Sequence, residues 1–166
     1  MVRTLCRSVW ISLAVVAFIA VAPIASAQQD FPAGEKAAMR AYVLTPQKVN
    51  GYIAATNALA AAAKSDASLA REIETKENEP GDTLAEMRAM WTSRPRLFAF
   101  YQRQGLSTDD VVILPVVFIT AGAVVELKDS TQAGDTVSPA QVAFVRANPG
   151  LSQRLSEAFE ALGDTQ

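Results

Sequence analysis

Arginines lie among aromatic rings along one short stretch: Arg88, Trp91, Arg94, Arg96, Phe98, Phe100, Tyr101 and Arg103. A guanidinium pairs with carboxylates and phosphates and also stacks on ring faces, so this mixture suits an anionic or aromatic ligand. Arg88, Trp91, Arg94, Arg96 and Tyr101 are the candidate ligand-binding residues. The competing reading of the same pattern is a pair of amphipathic helices with solvated arginines.

Other chemistries are weaker. The acids Glu72, Glu74, Glu77, Glu79 and Asp82 could gather calcium, but they lack the Asp-x-Asp-x-Asp-Gly spacing of an EF-hand and read as a solvated helix end and loop. Met39, Met87 and Met90 could offer thioethers to monovalent copper, and the same spacing fits core filling. The chain has no histidine, so the usual general base at neutral pH and the commonest zinc ligand are missing. Gly-x-Ser-x-Gly, Ser-x-x-Lys and glycine-rich phosphate loops are absent too. No catalytic residue, metal ligand or cofactor is assigned. A carboxylate pair working as a hydrolase remains the third functional reading.

The first 27 residues read as an export leader. Arg3 and Arg7 form a basic start, Val9–Val21 is an apolar run, Pro23 breaks it, and Ala25-Ser26-Ala27 is a small-x-small cleavage site. An uncleaved anchor is the alternative, but the run is shorter than the roughly 17 to 25 residues of a membrane span. Cys6, the single cysteine, precedes the apolar core and leaves with it, so the chain from Gln28 is cysteine-free and must fold by packing alone. That 139-residue remainder fits one domain, with a net charge of −4 that disfavours nucleic acid or an anionic membrane as partner. The expected divisions are a signal peptide at 1–27, an N-terminal arm or short helix at 28–44 and a helical domain at 45–166. The expected location is periplasmic or secreted.

Helix signals recur along the remainder. Thr45-Pro46 is an N-cap followed by an N1 proline, and Val49, Tyr52, Ile53, Thr56, Leu59, Ala60 and Ala63 then repeat at helical spacing. Asp66 can cap a short helix with Leu69 and Ile73. Thr83 with Glu86, Ser107 with Asp110, and Ser138 with Gln141 are capping-box pairs. Pro95 ends one segment and restarts another, and Gly105 is a left-handed terminator. Leu151, Leu155, Ala158, Phe159 and Leu162 form a last stripe ending at Gly163.

Val111–Val125 carries no charge, so a helix there is apolar on every face and calls for neighbours on all sides. Fifteen residues are too few for a membrane span, which favours a buried core segment. Gly122 between Ala121 and Ala123 suggests close approach of another helix. Two strands flanking Pro115 are the rival reading, since β-branched residues dominate. The cap at Ser107 and the lack of a partner strand favour the helix.

The leader, the helix around "LTPQKVNGYIAATNALAAAAK", the "QGLSTDD" start of the apolar segment and "VSPAQVAFVRANPGL" before the tail resemble small exported all-helical bacterial proteins of unknown function. The resemblance is one of layout and implies no site residues. The expected fold is an all-α compact bundle of about five or six helices, with 111–125 central and the stripes at 49–63, 84–91 and 151–162 around it. The first functional expectation is a non-enzymatic binding or accessory module of the cell envelope, contacting an envelope protein or a small ligand. The alternative is a carrier of a small apolar ligand, with the uncharged helix lining an internal cavity.

Overall fold

The computed structural model describes residues 31–74, 83–127 and 135–164, all within the unit Phe31–Gln166. The leader and its cleavage site lie outside the described residues. So do Glu77, Glu79 and Asp82 of the acidic cluster.

The described residues are all-helical, with no strand among them: α1 (Ala33–Ala41), α2 (Pro46–Ala63), α3 (Ala67–Glu74), α4 (Leu84–Ser93), α5 (Pro95–Gln102), α6 (Thr108–Leu127), α7 (Pro139–Ala147) and α8 (Pro149–Gly163). Eight helices replace the expected five or six. The excess comes from short elements: α1, α3 and α5 have 9, 8 and 8 residues. Helices of that length are marginal in water, and packing stabilises them here. Phe31, Met39, Leu69, Leu97 and Tyr101 all join the buried core from these segments or their edges.

The starts follow the local chemistry. The Thr45 hydroxyl accepts from the Lys48 N–H at 3.2 Å, and the boxes at Thr83–Glu86 and Ser138–Gln141 are closed in both directions. At α6, the Ser107 Oγ accepts from the Asp110 N–H at 3.1 Å while the Asp110 carboxylate accepts from the Ser107 N–H at 3.0 Å. Gly105 has φ of 75°, the left-handed value that closes α5, and the Tyr101 carbonyl there accepts from the Leu106 N–H.

Distant elements are joined by buried or half-buried polar side chains. The Glu35 carboxylate on α1 accepts from the Leu84 and Ala85 N–H groups at 2.9 and 3.3 Å, satisfying orphan donors of α4. Buried Gln141 donates to the Met39 and Tyr42 carbonyls at 2.8 and 2.6 Å, fastening α7 to the end of α1.

The centre differs from the expectation. α2 packs against α8, α5, α3 and α6, whereas α6 packs against α7, α4, α1 and α2. The Leu151–Leu162 stripe thus finds its main neighbours in α2 and α7. On α6, Val111–Leu114, Val117, Phe118, Ala121 and Val124 are buried, but Ile119 is 50% exposed and Pro115, Val116, Gly122 and Ala123 are only half-covered. One face of the apolar helix is therefore open. A Cβ at Gly122 would meet nothing within 4 Å among the described residues, so no described helix approaches closely there. The length argument also changes, because Thr108–Glu126 is long and apolar enough to cross a membrane. Half of that stretch is buried against its neighbours.

Candidate functional site

α5 and its C-cap carry two charged residues on one face. Arg96, Ala99 and Arg103 follow at three- and four-residue steps, and Pro95 and Phe100 flank them, so this side of the helix is apolar between two guanidiniums. It faces the end of α2 and the start of α3. Together Ala62, Asp66, Leu69, Pro95, Arg96, Ala99, Phe100 and Arg103 line an open groove of about 490 Å³.

Its charges are unequally committed. Arg96 donates to Asp66 Oδ2 at 2.9 Å and lies 3.6 Å from Glu72 Oε2. The other Asp66 oxygen caps α3, accepting from the Ser68 hydroxyl and the Ser68 and Leu69 N–H groups at 2.6, 2.9 and 3.1 Å. The Ser68 hydroxyl and the Leu69 amide, with Arg96 adding its charge, hold the Asp66 carboxyl below its ordinary range. Arg103, at the other end, lies over the Phe100 ring at 5.1 Å from its centroid. No carboxylate among the described residues lies within salt-bridge distance of it.

The five candidate residues are not gathered into one surface. Arg96 alone lines the groove. Tyr101 is 2% exposed and sits in the core. Its phenol meets Thr56 Oγ1 at 3.2 Å and, because that hydroxyl donates to the Tyr52 carbonyl at 3.0 Å, the phenol is the donor. Burial pushes the Tyr101 phenol up in pKa. Trp91 packs edge-on against Tyr101 with centroids 5.1 Å apart. Arg88 pairs with Asp109 at 2.6 Å, joining α4 to α6, and Arg94 occupies the junction of α4 and α5. Arg103 stands outside the five candidates and belongs to the groove. Its signal was the seven-residue step from Arg96, which puts both on one helix face.

The other polar centre is Asp110, the one buried acid among the described residues. It accepts from the Tyr42 phenol at 2.7 Å, the Ser107 hydroxyl at 2.7 Å and the Ser107 N–H, and pairs with Lys48 at 2.8 Å. Burial pushes its carboxyl up, but Lys48, Ser107 and Tyr42 together outweigh burial and hold it well below the usual carboxylate range. A general acid in glycoside hydrolysis needs the opposite shift. This cluster is suited to fastening the α1–α2 junction to α6. Among the described residues no group of three or more His, Cys, Asp or Glu could hold a metal, and Met39 and Met87 are buried in the core. None of the groove's lining residues belongs to α6, so the groove does not supply the internal cavity of a carrier.

No protein-family model, no curated protein and no solved structure matches this chain.

Proposed function

We propose that this chain is exported by its leader, is cleaved before Gln28, and acts in the periplasm or outside the cell as a non-enzymatic binding module. The binding surface is the groove between α2, α3 and α5. The observation that carries this reading is an apolar groove of about 490 Å³ with Arg96 and Arg103 at its two ends. Small-ligand sites combine the same elements, mostly apolar walls with a few fixed polar groups and a volume of about 300–1,000 Å³. The residue order of the first 27 positions supports export, and a cysteine-free remainder folds without any disulfide step in an oxidising compartment.

Native mass spectrometry of the protein purified from its own envelope fraction, set beside the denatured mass, tests both parts. The expected result is a chain starting at Gln28 with extra mass that is lost on denaturation. A cytoplasmic chain retaining Met1 refutes export. A bare mass, together with a groove that takes up neither neutral nor charged small probes, refutes the binding module.

A further inference from the structure

The groove's two guanidiniums are seven residues apart, which on a helix is about 10 Å. They are not equivalent. Arg96 is paired with both Asp66 and Glu72, and both Asp66 oxygens are already used, one by Arg96 and one by the α3 cap. Arg103 is held over Phe100, and its N–H edge meets no carboxylate among the described residues. Nor do the helix-end carbonyls draw it away. The Tyr101 carbonyl accepts from the Gln104 and Leu106 N–H groups, and the Gln102 carbonyl accepts from Gly105. The apolar part of the wall is formed by Ala62, Leu69, Pro95 and Ala99.

A surface whose guanidinium is already paired with carboxylates at one end, apolar along its length and cationic at the other complements an amphipathic anion. We infer that the groove binds a small organic monoanion, a carboxylate on an apolar body about 10 Å long, with its head on Arg103 and its body along Leu69 and Ala99. This inference rests on the binding-module reading above and adds the class of ligand. A dianion is disfavoured because one of the groove's two guanidiniums is already paired among the described residues, and a cation would face Arg103 at one end and carboxylates engaged by Arg96 at the other.

Three eight-carbon probes separate the possibilities: octanoate, 1-octanol and octylammonium, titrated into the ¹⁵N-labelled protein and followed by amide and arginine Nε–H resonances. Octanoate is expected to move Leu69, Ala99 and the Arg103 side chain in one saturable process. Its affinity should exceed that of octanol by about five-fold, the upper range for an exposed ion pair, and octylammonium should bind least. Arg103→Gln should bring octanoate down to the octanol level and leave octanol unchanged. Equal binding of octanoate and octanol overturns the monoanion assignment while the groove survives as an apolar site. No shift at groove residues with any probe overturns the groove itself.

Discussion

Replacing Asp110 with alanine is the sharpest test of how the α1–α2 junction is tied to α6. The carboxylate joins residues 68 apart through the Tyr42 phenol, closes the α6 capping box with Ser107, and pairs with Lys48. Its removal leaves the half-buried Tyr42 phenol without an acceptor, which costs about 1–3 kcal/mol. The lost half of the capping box adds about 1 kcal/mol. The Lys48 ion pair adds less than about 1 kcal/mol, because Lys48 is more than one-third exposed. Asp110→Ala should therefore lose about 3 kcal/mol in urea unfolding, followed by the fluorescence of Trp91, the single tryptophan after the leader. Tyr42→Phe should lose more than Lys48→Ala. Acid adds an independent arm. The folded-state pKa of Asp110 lies below its unfolded value of about 4, so its contribution is complete above pH 4 and declines as pH falls toward the folded pKa. Asp110→Asn should accordingly show a shallower acid limb than the wild type. A loss under about 1 kcal/mol for Asp110→Ala, or unchanged acid limbs, would refute the reasoning.

Three other perturbations probe separate links. Leu114→Ala on the covered face of α6 should cost about 3–4 kcal/mol by denaturant unfolding, while Ile119→Ser on the open face should stay within about 0.5 kcal/mol; equal losses would mean that the face is covered in solution. Glu35→Ala removes the acceptor for the first two α4 amides and should lower stability by about 1 kcal/mol, with faster hydrogen exchange at Leu84 and Ala85 as the local readout. Gln141→Ala takes the Nε2 donor from the Met39 and Tyr42 carbonyls and the Oε1 acceptor from the Ser138 N–H; a thermal melt should show about 2–4 kcal/mol lost, and a change under 0.5 kcal/mol would contradict its role as a fastener.

Local chemistry alone determined a good share of this protein. Thr45-Pro46, Thr83–Glu86, Ser107–Asp110 and Ser138–Gln141 marked helix starts correctly because a cap involves residues within one turn, and Gly105 marked a stop because its backbone angle is a property of that residue. The buried stripes of α2 and α8 were legible for the same reason, since 3.6-residue periodicity records which face is apolar. What periodicity does not record is the neighbour. Whether α8 packs on α2 or on α6, and which side of a uniformly apolar α6 stays open, depends on how all eight helices share one core. The candidate residues were dispersed in that way: Tyr101 was drawn into the core with Trp91 packed against it, Arg88 went to Asp109, and Asp66, the cap of α3, joined Arg96. An arginine's role is set by the carboxylate that chain folding brings to it, and Asp66 and Arg96 are 30 residues apart in sequence. Sequence therefore marked the capped helix starts and the apolar faces of α2 and α8, while tertiary packing decided which guanidiniums met carboxylates and placed Arg103, with no carboxylate partner among the described residues, beside an apolar groove.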